Sequence, residues 1–132
     1  KNIKNINSWD LMNVSCHYII GAYLFDKNRK TLYDLALSKS LWARRISMIS
    51  TFYFIKRGDL KDVFKLAQIL LKDEHDLMHK AVGWMLREAG KRDVDRLERF
   101  LIKNKNKIHR TTLRYAIEKF SEKKRKFFLK MI

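Results

Sequence analysis

Two stretches of the chain, KRGDLKDVFKL at 56–66 and GKRDVDRLERF at 90–100, look like one join used twice. In each a glycine is followed by an aspartate that opens an apolar-periodic run. Glycine takes the left-handed conformation that closes a last helical turn, and aspartate accepts from the free amides that begin the next helix. Asp59 and Asp93 lie 34 positions apart. The segments RRISMIS, HKAVGWM and RTTLRYA repeat at similar intervals, about 35 and then roughly 32 residues. Each unit therefore reads as a helix pair. One pair cannot bury its own apolar face, so pairs must stack and share a core. The expected fold is all-α, a HEAT-like helical-repeat solenoid. A compact helical bundle is the alternative, because only three units are visible.

The local signals agree with helices throughout. No alternating strand pattern occurs, proline is absent, and only four glycines interrupt 132 residues. The periodicity predicts helices near 9–24, 30–38, 41–56, 60–72, 76–89, 93–104, 111–119 and 122–130. Ser8, Ser40, Asp59, Asp93 and Ser121 stand where caps are needed, and Gly58 and Gly90 stand where helices should stop. The chain is expected to form a single domain over 1–132. Its start at Lys1 suggests the later part of a longer solenoid.

Charge bounds the function. Thirty Lys and Arg against fourteen Asp and Glu give a formal net charge of +16, which points to a polyanionic partner, nucleic acid first and anionic membrane second. A merely solvated basic surface is the plain alternative. From Lys103 to Lys130 the excess is steepest, with Glu118 and Glu122 the only acids. No apolar run approaches the roughly 18 residues of a membrane span, and no signal peptide is visible. The single cysteine, Cys16, excludes an internal disulfide framework and fits a reducing cytoplasm, the expected location.

On a helical wheel, Ala81, Val82, Met85, Leu86 and Ala89 gather as a core stripe. Lys80, Trp84, Arg87 and Lys91 fall together on the opposite side. A large apolar ring among three cations suits a groove in which it packs on a sugar or base; covering a neighbouring helix is the other reading. In a stack of pairs the second helices line the concave wall. They carry Arg44 and Arg45, then Lys80 and Arg87, then Arg110 and Arg114, so cations from separate repeats converge on one groove. That regular spacing matches a duplex phosphate backbone better than a flat bilayer.

Other constellations are weaker. His75 and His79 stand one turn apart in HDLMH and could share a metal, but a third ligand is missing and capping explains a histidine at a helix start; no metal is expected. Cys16 and His17 are adjacent, hence about 100° apart on a helix, and cannot act as nucleophile and base. No phosphate loop, nucleophile elbow or dinucleotide fingerprint occurs, and no cofactor is expected. In SWDLMNVSCHYIIG, Trp9, Asn13 and Cys16 share a face apart from the stripe of Leu11, Val14 and Tyr18.

Together SWDLMN, LWARRISMISTF, HKAVGWMLREAGKRD and RYAIEKF, in this order and spacing, resemble the DNA alkylation repair family, the AlkD-like HEAT-repeat DNA glycosylases. The resemblance spans nearly all of this chain and the later part of a family member. It implies excision of N3- and N7-alkylated purines from duplex DNA. It also implies a groove with a tryptophan and an aspartate four residues on, at Trp9 and position 13. The second arginine of Trp-x-Arg-Arg corresponds to Arg45, and the tryptophan of Gly-Trp-x-Leu-Arg to Trp84, followed by Arg87. One match fails, because position 13 is Asn13. Asp10 points about 100° away from Trp9 and cannot stand in for the missing acid.

The expected catalytic set is thus Trp9, Asn13, Arg45 and Trp84, with Arg44, Lys80, Arg87, Lys91, Arg110 and Arg114 on DNA. The expected partner is double-stranded DNA bearing alkylated purines, with no membrane and a monomeric protein. Two rivals stand beside this reading: a non-catalytic DNA-binding paralogue that lost the carboxylate, and a repeat scaffold for an acidic protein.

Overall fold

The computed structural model of the protein describes residues 19–25 and 29–131. Ser8, Trp9, Asp10, Asn13, Cys16 and His17, with most of the predicted first helix, lie outside the described residues. A helical segment at 19–24, α1, is followed by α2 (Lys30–Ala36), α3 (Leu41–Lys56), α4 (Lys61–Leu70), α5 (Asp76–Arg92), α6 (Val94–Lys103), α7 (Arg110–Ala116) and α8 (Glu122–Met131). No strand occurs among the described residues.

The helices stack as pairs. α5 lies between α3 and α7 and packs along both. Behind this row, α2 backs onto α3, α4 spans α3 and α5, and α6 backs onto α5. The result is an all-α helical-repeat solenoid. Side-chain hydrogen bonds between units show the same repeat length. They join Arg44 to Asp73, Arg45 to Leu77, Thr112 to His79 and Gln68 to Asn104, at separations of 29, 32, 33 and 36 residues. One core runs through the stack and includes Leu32, Met48, Phe54, Leu66, Met85, Leu101 and Leu113. The stripe read from the sequence is fully internal: Ala81, Val82, Met85, Leu86 and Ala89 are all buried.

The two joins differ. After α3, Gly58 adopts φ 83°, its amide donates to the Ile55 carbonyl at 2.9 Å, and the Asp59 amide donates to the Phe54 carbonyl at 2.9 Å. These two bonds close the helix as a Schellman turn. Asp59 then accepts from the Lys61 amide at 3.2 Å, but it stands one residue short of the cap position, which Leu60 occupies without a side-chain cap bond, contrary to the reading from sequence. Gly90 does not stop α5, contrary to the reading from sequence; the helix continues to Arg92. A Cβ at residue 90 would lie 2.4 Å from Leu97 Cδ2, so this glycine lets α6 fold back closely on α5. Asp93 caps α6 as expected, accepting from the Arg96 amide at 3.1 Å. Ser40 and Ser121 also cap as expected, accepting from the Ala43 and Lys124 amides.

Gly83 sets the approach of α7 to α5. A Cβ there would fall 2.5 Å from Tyr115 Cβ and 2.7 Å from the Thr112 carbonyl oxygen. The second neighbour is backbone and cannot rotate aside. Gly83→Ala should therefore lower stability by about 1–3 kcal/mol through overpacking, although alanine is the better helix former. Denaturant unfolding measures this, and a stabilised variant would contradict the close α5–α7 contact.

Candidate nucleic-acid interface

The side of α5 turned away from the core carries Lys80, Trp84, Arg87 and Lys91, as the wheel requires. Helix α5 is built to present it. His75 caps its start, with Nδ1 accepting from the Leu77 amide at 3.2 Å, and Lys91 and Arg92 sit in its last turn, where the helix dipole favours cations.

Trp84 is half-buried rather than free. Its ring lies against Phe52 of α3, with centroids 5.8 Å apart and planes inclined at 57°. Its contact with α3 bears out the reading that it covers a neighbouring helix, while the residue keeps an exposed portion among the cations. Wheel geometry cannot reveal this, because it omits α3. Trp84→Ala should cost about 2 kcal/mol. That lies between the value below about 0.5 kcal/mol for a solvent-facing residue and the 3–5 kcal/mol for a fully buried one. Chemical unfolding checks this, and a loss above 3 kcal/mol would mark Trp84 as core alone.

The cations divide into two sets. Arg44 donates from Nε to Asp73 at 2.6 Å and from Nη1 to the Ser38 and Lys39 carbonyls, tying the loop before α3 to the loop before α5. Arg45 is buried, and its Nη1 donates to the Leu77 carbonyl at 2.7 Å across the α3–α5 seam. Arg110 donates to the Leu129 carbonyl at 2.8 Å and fastens α8 to α7. Each of these three arginines ties its helix to a neighbouring segment.

The second set faces outward. Lys80 pairs with Asp76 at 3.4 Å, Lys91 with Glu88 at 3.2 Å, and Arg87 with Glu118, while Arg114 is exposed on α7. Lys80 and Lys91 keep almost half of their side chains in solvent. The exposed lysine pairs among them are worth little.

The histidines have structural roles. His75 is the cap described above. His79 is buried, its Nε2 lies 2.7 Å from the Asp73 carbonyl oxygen, and its ring stacks on His109 at 3.7 Å. Among the described residues no cluster of three or more His, Cys, Asp or Glu could hold a metal ion, and no helix is long and apolar enough to cross a membrane.

Sequence reasoning missed one cluster. Arg29 donates to Asp59 at 2.8 Å, to Asp62 at 2.6 Å, and to the carbonyls of Leu24 and Phe25, while its guanidinium lies 4.0 Å from the Phe54 ring centroid. Tyr33 donates to the other Asp62 oxygen at 2.6 Å. Burial disfavours the Arg29 cation, but the Asp62 and Asp59 bonds outweigh it and raise its pKa. Burial pushes the Tyr33 phenol up, and the bond to Asp62 adds to this. Burial also works against the Asp59 carboxylate, yet Arg29 holds its pKa below the ordinary value. This cluster joins the first described unit to the second, so its function is mechanical.

The profile of one protein family, described as DNA alkylation repair enzyme, matches residues 1–120. Neither curated proteins nor solved structures give a significant match to the chain.

Proposed function

Because this chain belongs to the DNA alkylation repair enzyme family, we propose that it is an alkylpurine DNA glycosylase, hydrolysing the N-glycosyl bond of N3- and N7-alkylated purines in duplex DNA. The observation that carries this reading is the outward row of α5, a half-exposed tryptophan flanked by cations. Lys80, Arg87 and Lys91, with Arg114 beside them, serve the phosphates. Trp84 offers a ring to a sugar or base. Arg45 belongs to the same machinery as a positioning residue, because it fixes the start of α5 against α3.

The chemistry suits so few groups. An N3- or N7-alkylated purine is cationic, so its glycosidic bond is already weak and its departure needs no added proton. The protein must stabilise positive charge developing on deoxyribose and place a water molecule. Aromatic faces contribute cation–π attraction, the role assigned to Trp9 and Trp84. A carboxylate would add electrostatic stabilisation and accept a proton from water. At position 13 an amide replaces it, keeping an acceptor oxygen without the charge.

Asn13 also favours a second reading, a DNA-binding paralogue that retains the interface and has lost catalysis. Both readings expect a monomer acting on DNA in the cytoplasm without metal or cofactor. Single-turnover incubation of the full-length protein with a duplex carrying one N7-methylguanine separates them. Base release above the spontaneous rate supports the glycosylase, and tight binding without release supports the paralogue.

A further inference from the structure

At the C-terminal end of the α5 row, where α5, α6 and α7 meet, the surface holds a small open pocket of about 150 Å³. Arg87, Lys91 and Lys119 stand around it, and Val94, Leu97 and Phe120 contribute its apolar wall. Val94 is an exposed large hydrophobic residue, 39% accessible. Arg87 is paired with Glu118 through Nη1, while its Nε makes no hydrogen bond although it is out of solvent contact, with a Glu88 oxygen at 3.6 Å. Lys91 shares Glu88 at 3.2 Å. Lys119 is exposed and has no ion pair among the described residues.

We propose that this junction is a sugar–phosphate subsite for a DNA strand, in which Lys119 joins Arg87 and Lys91 around an apolar wall and Glu118 holds the place of a phosphate on Arg87 until DNA arrives. The proposal rests on the DNA-binding reading above and adds two residues to it. Three cations around one cavity specify an anion. The apolar wall specifies more than a bare ion, and deoxyribose linked to phosphate supplies both surfaces. Glu118 is one of only two acids between Lys103 and Lys130, and it sits on the single arginine of this cavity. Exchange of its carboxylate for a phosphate keeps Arg87 charge-paired, so DNA entry leaves no bare guanidinium in the wall.

Titrating a duplex oligonucleotide across a salt series with wild type, Lys119→Gln and Glu118→Gln tests the subsite. Lys119→Gln should reduce the magnitude of the salt slope by about 0.9, the value of one phosphate contact, with an unchanged melting temperature. Glu118→Gln should tighten binding by up to about fivefold, since the competing exposed ion pair is gone. Wild type binding the duplex while Lys119→Gln keeps its slope, or while Glu118→Gln binds no tighter, overturns the subsite and leaves the DNA-binding reading standing. A wild-type protein that does not bind duplex DNA overturns both.

Discussion

Asn13→Asp is expected to raise single-turnover base release by roughly 10²–10³-fold, the effect typical of one preorganised electrostatic group. The cationic lesion supplies part of its own reactivity, so the wild-type protein should still release N7-methylguanine slowly, with the most labile lesions leaving fastest. Asn13→Ala removes the amide as well and should be no faster than wild type. Excision measured on one duplex with all three proteins gives the comparison directly. If wild type is already fast and Asn13→Asp brings no gain, another group does the carboxylate's work. If none of the three releases base although all bind, the paralogue reading prevails.

Arg29→Ala is the largest expected loss of stability, about 3–5 kcal/mol, because it leaves the buried Asp62 carboxylate without its cation. Tyr33 still donates to the second Asp62 oxygen, which sets the effect toward the lower end. Replacing both partners, as in Arg29→Met with Asp62→Leu, should recover most of the loss, since no unpaired charge then remains buried. The cluster also gives a direction in pH. The folded pKa of Asp59 lies below its unfolded value. The stabilisation from this group is therefore complete above the unfolded pKa of about 3.9 and is lost as pH falls through the folded value. Unfolding followed from neutral to acid pH should show wild type losing this contribution and Arg29→Ala lacking it throughout.

Much of this architecture was legible because it depends on neighbours in the chain. The limits of α3 follow from Ser40 and Gly58 alone, and the buried stripe of α5 follows from its period. The features that escaped depend on residues a repeat away. Gly90 reads as a stop, yet Leu97 uses its missing side chain as space. Arg44 reads as a groove cation, and nothing near it in sequence announces its ion pair with Asp73, 29 residues on. Asp59 reads as the cap of α4, yet Leu60 holds that position, and nothing near Asp59 in sequence announces Arg29 as its partner. Trp84 shows the boundary best. The period sets it apart from the buried stripe of α5, but the packing of α3 against α5 brings it onto the edge of the core, with Phe52 against its ring.

The central claim is that the outward row of α5 and its neighbour on α7 bind duplex DNA through phosphates. The most direct measurement is the duplex affinity of the full-length protein across a salt series, for wild type and for Lys80→Gln, Lys91→Gln and Arg114→Gln. With Lys80, Arg87, Lys91 and Arg114 each on a phosphate, and Lys119 adding a fifth, log affinity should fall against log salt with a slope of roughly −4 to −5. Each substitution should then reduce that slope by about 0.9 at little cost in stability. A flat salt dependence, or a steep one that all three substitutions leave unchanged, would contradict the claim and place the DNA contact elsewhere on this basic chain.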